Sequence, residues 1–204
     1  MSTQAVIFDL GRVLVGVDTG RGLWDRILTA MGRENSETPR GKEWLSIYRR
    51  FATGRLAPRE FHPQVCRLLQ EDMSYEDFTT GWCDVFYTLK GARDFLGEVA
   101  ERVPVGLLSD TDPLHWDFEL RRNPWLGIFE RPTLSFETGY MKPAPEAYLA
   151  AAANVGRDPG QCFFIDDMQE NVTGARQAGM LADRFTTYDA LRARLIELGI
   201  LEPR

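Results

Sequence analysis

Short apolar runs that end abruptly on polar residues are the clearest pattern along the chain. Residues 5–8 form such a run, "AVIF", which is closed by Asp9. Two later runs, in "PVGLLSD" and "QCFFIDD", have the same form. They end on Ser109 and Asp110 and on Asp166 and Asp167. Continuous apolar runs of this length are typical of strands covered on both faces, so we predict buried strands with polar residues at their carboxyl ends.

Segments with a helical spacing of apolar residues separate these runs in the second half of the chain. They are "ARDFLGEVAER", "PEAYLAAAANVG" and "QENVTGARQAG". Strands that alternate with helices of about ten residues are typical of a parallel sheet with helices on both faces. The prediction is therefore an α/β fold with a doubly wound parallel sheet, built from residues 1–17 and 89–204.

The segment between these two parts has a different pattern. From Gly20 to Leu89 the apolar periodicity is helical, and no strand is predicted there. Ser74 and Asp77 resemble a helix N-cap, and "TGRLAP" has the Gly and Pro that separate helices. We expect a small all-helical insert over residues 18–88. Its apolar faces are Trp44, Leu45, Tyr48, Phe51 and Ala52, then Phe61, Val65, Leu68 and Leu69, then Phe78, Trp82, Val85, Phe86 and Leu89.

The predicted strand ends meet if the sheet is parallel. Ligands bind in open α/β folds at the edge where the strands' carboxyl ends lie, so Asp9, Ser109 and Asp167 are expected in one crevice. A single polar residue at a strand end is commonplace, and a lysine before a helix, such as Lys142 in "GYMKPAPEAY", is usually solvated. The coincidence of the strand ends is what indicates a functional site.

The composition excludes several classes of protein. The chain has 204 residues, of which 44% are hydrophobic, and this suits a packed core. The net charge is -6 and no basic stripe is present, which disfavours binding to nucleic acid. No apolar run reaches the length of a membrane span. The three cysteines are widely spaced and fit reduced thiols, so a cytoplasmic location is expected.

Asp9, Ser109, Lys142 and Asp167, in this order, resemble the motifs of the haloacid dehalogenase superfamily of phosphatases and dehalogenases. "FDLGRVL", "LLSDTD", "KPAPEAY" and "FFIDDMQENVTGARQAGM" are most similar to small bacterial sugar-phosphate phosphatases and to the phosphatase domain of mammalian epoxide hydrolase. The resemblance covers nearly the whole chain. It implies a Rossmann-like core with a small all-helical cap, residues 18–88, inserted after the first strand.

The resemblance implies a Mg²⁺-dependent phosphatase with Asp9 as nucleophile. A carboxylate held at a strand end can form an acyl phosphate, and its attack on a phosphate dianion needs positive charge nearby. The expected Mg²⁺ ligands are Asp9, Asp167 and the Gly11 carbonyl, with Asp166 orienting the ligands from behind.

The other motif residues are expected to bind the phosphoryl group. Lys142 offsets negative charge between nucleophile and phosphate, while Ser109 and the backbone N–H of Asp110 donate to a phosphoryl oxygen. Asp18 and Arg21, at the hinge between core and cap, are candidates for substrate contact, although Asp18 also suits the N-cap of the next helix. The expected partner is a small phosphate ester, with sugar phosphates favoured, bound by a monomer or homodimer.

Three residues depart from the phosphatase pattern. Gly11 stands where a second aspartate usually protonates the leaving oxygen, which is worth about 10²–10⁴ in rate. The sugar-phosphate branch includes members with this glycine. Arg12 replaces a small or amide side chain, and we favour an outward orientation that pairs it with a surface acid. Asp110 replaces a neutral residue, and either Asp110 or Asp112 is a candidate substitute for the missing acid.

Two other functions stay open. A 2-haloacid dehalogenase also uses an aspartate nucleophile and also lacks the second acid, but it needs no metal, so the pair Asp166 and Asp167 counts against it. The other function is a phospho-ligand binding or regulatory module whose catalysis was lost at Gly11. His62 and His115, the only histidines, form no metal cluster and are interpreted as structural or surface residues.

Overall fold

A five-stranded sheet forms the centre of the molecule. The computed structural model describes residues 3–31 and 38–203. The strands of the described residues are β1 (Ala5–Phe8), β2 (Val15–Val17), β3 (Phe86–Thr88), β4 (Val105–Ser109), β5 (Thr133–Leu134), β6 (Cys162–Asp166) and β7 (Leu181–Arg184), of which β2 and β3 form a separate two-stranded ribbon. The sheet has the order β5-β4-β1-β6-β7, and all its pairings are parallel. The predicted strands are confirmed as β1, β4 and β6, which are direct neighbours.

Helices surround this sheet and fill the segment between β2 and β3. They are α1 (Gly22–Ala30), α2 (Pro39–Ala52), α3 (Pro58–Leu69), α4 (Tyr75–Cys83), α5 (Ala92–Ala100), α6 (Pro113–Arg122), α7 (Ser135–Thr138), α8 (Pro145–Asn154), α9 (Gln169–Gln177) and α10 (Tyr188–Glu197). Across the two described ranges, no helix combines the length and the apolar character that a bilayer crossing requires.

The apolar run of β1 is explained by layers of helices on both faces of the sheet. Val6 and Phe8 belong to the cluster under α5 and α10, whereas Ala5 and Ile7 belong to the cluster under α8 and α9. Successive side chains of a strand point to opposite faces, so a strand buried on both sides is apolar throughout. This arrangement is the predicted α/β, doubly wound sheet.

Helices α1 to α4 pack around a core of their own, rich in aromatic rings. Trp44, Phe51, Phe61, Phe78 and Trp82 are all buried in it. As predicted, "TGRLAP" separates α2 from α3 and Ser74 caps α4, with its hydroxyl accepting the Asp77 N–H at 3.0 Å. These helices form the predicted cap, of which residues 32–37 lie outside the described residues.

The prediction that residues 20–89 contain no strand is wrong. Strand β3 pairs antiparallel with β2, with Val17 opposite Phe86. Because α4 ends at Cys83, the later apolar residues Val85, Phe86 and Leu89 do not continue its buried face. A three-residue strand is too short to show a period of two, so its apolar residues extended the helical pattern. The domain limits at 17/18 and 88/89 stay a prediction; this ribbon is hydrogen-bonded across them.

The cysteines are free thiols, as predicted. Cys83 and Cys162 are buried and Cys66 is half-buried. Burial raises the pKa of Cys83 to about 12 and that of Cys162 to about 11. Both thiols are therefore un-ionised at neutral pH and act as small apolar side chains.

Candidate active site

Asp9 lies directly after the central strand, at the carboxyl edge of the sheet. Its backbone N–H donates to the Ile165 carbonyl at 2.9 Å, which ties it to β6. Its side chain is 10% exposed. Burial raises the pKa of Asp9 to about 7, and Lys142 opposes this rise while Asp166 adds to it. Asp9 is thus tied to the sheet through its backbone, and its side chain is largely excluded from solvent.

Lys142 is a buried cation that bridges two carboxylates. Its Nζ lies 2.6 Å from Oδ1 of Asp9 and 2.7 Å from Oδ2 of Asp166, and its side chain is 2% exposed. Burial alone would lower the pKa of Lys142, but Asp9, Asp110 and Asp166 attract its charge and raise that pKa instead. Asp110 also accepts the Lys142 backbone N–H at 3.0 Å. The lysine therefore brings a fixed positive charge to the crevice.

Three carboxylates form a cluster that suits a divalent cation. One oxygen from each of Asp9, Asp166 and Asp167 lies within 4.8 Å of the others. Hard oxygen donors are the ligands that Mg²⁺ prefers. Asp9 and Asp167 come from adjacent strand ends, as the parallel sheet predicts.

Asp166 differs from Asp167 in how many hydrogen bonds it already accepts. Asp166 is fully buried and accepts the Met168 N–H at 2.8 Å and the Asn171 amide at 3.0 Å, besides Lys142. The Asp167 side chain is 23% exposed. The roles of Asp167 as a direct ligand and of Asp166 as the residue that orients the ligands stay a prediction.

The phosphate-binding residues predicted at the end of β4 lie beside Asp9, because β4 pairs with β1. Ser109 is 3% exposed. The loop after it is held by Ser135, whose hydroxyl accepts the Thr111 N–H at 2.9 Å. The Asp110 carboxylate is turned onto the Lys142 backbone, which accounts for a carboxylate in a position that is often neutral.

Arg12 is not paired as expected. Its Nη1 lies 3.5 Å from Oδ2 of Asp167, the candidate metal ligand, rather than against a surface acid. Its backbone has a φ of 58°, in the left-handed region, and its N–H donates to the Val15 carbonyl. This tight turn after Asp9 directs the half-exposed guanidinium back toward the crevice.

The hinge residues make local contacts. Asp18 accepts the Gly20 N–H at 3.0 Å, and the N-cap of α1 is Arg21, so the N-cap interpretation of Asp18 is wrong. Arg21 pairs with Asp84 at 3.1 Å and lines a groove of about 770 Å³ between α4, β3 and α6. Substrate contact by Asp18 and Arg21 stays a prediction.

A cationic groove that the sequence patterns did not predict lies next to the loop that carries Lys142. It has a volume of about 410 Å³ and separates residues 49–55 of the cap from residues 141–144, which carry Lys142. Arg49, Arg50 and Arg55 line it, and no carboxylate does among the described residues. The cap loop is held close to the core by Gly54, where a Cβ would lie 2.1 Å from the Phe136 carbonyl oxygen. The clustered arginines in "RRFATGR" were the available signal.

A family model described as haloacid dehalogenase-like hydrolase matches residues 3–179. The chain belongs to this family. The resemblance predicted from the motifs is confirmed, and with it the hydrolase class.

This haloacid dehalogenase-like hydrolase is similar to known phosphatases over most of its length. It is 31% identical to a phosphatase of Mycobacterium tuberculosis, over 98% of this chain and 97% of that protein. It is 24% identical to the D-ribitol-5-phosphate phosphatase of Bacteroides thetaiotaomicron, over 85% of this chain and 87% of that protein. Among solved structures, a family enzyme from Bacteroides thetaiotaomicron in complex with magnesium and inorganic phosphate superposes with a TM-score of 0.76 at 26% identity, covering 91% of this chain and 95% of that one.

Proposed function

We propose that this hydrolase cleaves small phosphomonoesters, with sugar phosphates as the substrate class, in a Mg²⁺-dependent reaction through a phosphorylated Asp9. The observation that carries the proposal is the position of Lys142 between Asp9 and Asp166, with Asp167 alongside. Similarity to a D-ribitol-5-phosphate phosphatase supports the substrate class, and similarity to an enzyme crystallised with magnesium and phosphate supports the cofactor.

The donor set fits Mg²⁺. The carboxylates of Asp9 and Asp167 and the carbonyl of Gly11 would hold the ion, and Asp166 would orient them. When bound, Mg²⁺ supplies the positive charge that lets an anionic nucleophile approach a phosphate dianion. A metal-independent dehalogenase has no use for this group of carboxylates, which is why we prefer the phosphatase.

Each side chain of the site has a separate role in the reaction. A carboxylate oxygen of Asp9 attacks phosphorus, the bond from phosphorus to the ester oxygen breaks, and the released alkoxide takes a proton from water. Lys142 fixes the orientation of Asp9 and offsets the charge of the phosphoryl oxygens, while Ser109 donates a hydrogen bond to one of them. A water molecule then attacks the phosphorus, the bond from phosphorus to the Asp9 oxygen breaks, and inorganic phosphate leaves as the Asp9 carboxylate is restored.

Release of phosphate tests this proposal directly. The substrates are p-nitrophenyl phosphate, acetyl phosphate and a panel of sugar phosphates, each measured with Mg²⁺ and with EDTA. We expect turnover only with Mg²⁺, and its return when excess Mg²⁺ follows EDTA. Halide release from a 2-haloacid in EDTA would instead identify a dehalogenase. Mg²⁺-dependent phosphate binding without turnover on any substrate would identify a binding module.

Restoring an acid at Gly11 should accelerate the reaction. A Cβ there would lie 3.4 Å from Cγ2 of Val17, an ordinary contact, so the site has room for the Cβ of Gly11→Asp. Since general acid help is worth about 10²–10⁴, we expect kcat on a sugar phosphate to rise about 10²-fold, with a smaller gain on acetyl phosphate, whose leaving group needs no proton. Gly11→Asn is the matched control. Equal rates for the two variants would show that the native site already protonates the leaving group.

A further inference from the structure

A buried polar cluster lies where helix α4 of the cap meets helix α6 of the core. It consists of Trp82, Asp112 and His115, which are 0%, 0% and 6% exposed. The His115 ring stacks on the Trp82 indole with centroids 4.8 Å apart and planes 1° from parallel. None of these side chains belongs to the carboxylate and lysine group described above. The cluster joins the two parts of the molecule.

Asp112 receives hydrogen bonds from both sides of this junction. Its Oδ1 accepts the backbone N–H groups of Leu114 at 3.0 Å and His115 at 3.1 Å, which caps α6. The Trp82 indole N–H, from the cap, points at both carboxylate oxygens from 3.2 and 3.3 Å. Nδ1 of His115 lies 2.8 Å from Oδ2. With its oxygens engaged in this way, Asp112 is a poor substitute for the acid missing at Gly11.

Both ring nitrogens of His115 face acceptors. Nδ1 faces the Asp112 carboxylate, and Nε2 lies 2.9 Å from the Trp82 carbonyl oxygen. A carbonyl oxygen and an ionised carboxylate cannot donate, and a neutral imidazole carries only one N–H. A neutral ring would leave one of these two short contacts without a proton, inside a buried site where an unmade hydrogen bond is costly.

We infer that His115 is a buried imidazolium that links the cap to the loop carrying Ser109, because it donates to Asp112 through Nδ1 and to the Trp82 carbonyl of the cap through Nε2. The Trp82 carbonyl is in the last turn of α4, where the helix dipole favours a positive charge. Asp112 follows Ser109 by three residues, so the contacts of Asp112 and His115 with Trp82 join the cap to the phosphate-binding loop. His115 and Asp112 are positioning residues; this part of the inference rests on the proposed function.

The other titratable groups around the pair are compatible with a positive ring. Glu119, one turn further along α6, is buried and attracts the imidazolium; burial raises the pKa of Glu119, while Arg122 lowers it. Arg122 lies 4.0 Å from Glu119, which offsets its charge. From the cap, burial raises the pKa of the Cys83 thiol to about 12 and also raises that of the Tyr48 phenol, so both face Asp112 uncharged.

The protonation state is tested by nitrogen NMR on the folded protein. The variant His62→Gln leaves His115 as the only histidine, so its two ring nitrogens can be read without assignment. We expect both to carry protons at neutral pH. Adding Asp112→Asn keeps an oxygen for the α6 cap but removes the charge, and one ring proton should be lost. Asp117→Asn, at an exposed acid on the same helix, should leave both protons in place. A single ring proton in His62→Gln alone would overturn the inference.

The positioning role is tested with His115→Gln and with Asp117→Asn as its control. Losing a hydrogen-bonded charge should speed amide exchange at Thr111 about tenfold and raise KM for a phosphomonoester about tenfold, with kcat less affected. Unchanged exchange and KM would overturn the role. If His115→Gln does not fold, Asp112→Asn, which keeps an oxygen for the α6 cap but removes the charge, should show the same effects at smaller size. Exchange is measured without substrate, so an enzyme inactive on phosphomonoesters would refute the proposed function and leave this test in force.

Discussion

The variant Asp9→Asn should lose phosphate release while keeping its fold. The amide is a poor nucleophile and cannot form an acyl phosphate, so we expect kcat to fall by about 10⁴-fold or more. Lys142 would still pair with Asp166 at 2.7 Å, and the crevice would keep its shape. Phosphate release from p-nitrophenyl phosphate with Mg²⁺ measures the loss, and Asp117→Asn serves as an exposed control of the same chemistry. Retained turnover in a folded Asp9→Asn protein would rule out the phosphorylated Asp9.

The same variant should not be less stable than the parent at neutral pH in EDTA. Burial raises the pKa of Asp9 to about 7, so the folded state binds this proton more tightly than the unfolded state does. The stability from that proton is present below the unfolded pKa and is lost as pH rises toward 7. A neutral amide removes this pH dependence. Urea unfolding at acidic and neutral pH should therefore give a flatter pH profile for Asp9→Asn than for the parent.

The central strands were predictable from sequence, whereas the edge strands were not. Strands β1, β4 and β6 lie between two layers of helices, and such burial leaves an unbroken apolar run. Strand β5 has only two residues, Thr133 and Leu134. Strand β7 has one paired neighbour and contains the exposed Leu181 together with Asp183 and Arg184. Neither strand has a pattern of apolar residues that distinguishes it from a loop.

The meeting of the site residues at one edge of the sheet was also predictable from the buried strands. In a parallel sheet with β1 between β4 and β6, the strand ends that carry Asp9, Ser109 and Asp167 must be neighbours. The pairing of Arg12 with Asp167 depends on a turn of left-handed backbone, and such a turn has no sequence signature at a non-glycine residue.

Contacts between the cap and the core could not be predicted from the sequence. Trp82 and Asp112 are 30 residues apart, and no periodicity relates them. The sequence makes Asp112 a candidate for acid catalysis because it lies near the predicted active edge. The structure shows instead that it caps α6 and pairs with His115. The position of a residue next to a strand end predicts where its backbone lies in the fold. It does not predict which residue its side chain contacts.

Replacing Lys142 with methionine should destabilise the fold as well as abolish activity. Methionine replaces the lysine side chain as far as Cε but leaves Asp9 and Asp166 buried without their shared cation. Removing one partner of a buried ion pair costs about 3–5 kcal/mol. We expect a loss of that size in the free energy of unfolding at neutral pH, measured by urea denaturation in EDTA, and a smaller loss at acidic pH, where protonated carboxylates need no cation.

A matched control and a double variant make this result specific. Lys90 is exposed, so Lys90→Met should change stability by less than about 0.5 kcal/mol. Adding Asp9→Asn to Lys142→Met removes one of the two unpaired charges and should recover part of the lost stability without recovering activity. Equal stability of Lys142→Met and Lys90→Met would mean that the carboxylates do not depend on this lysine. Lys142 would then not be needed to offset the charges of Asp9 and Asp166, because both would have to remain buried together as neutral acids.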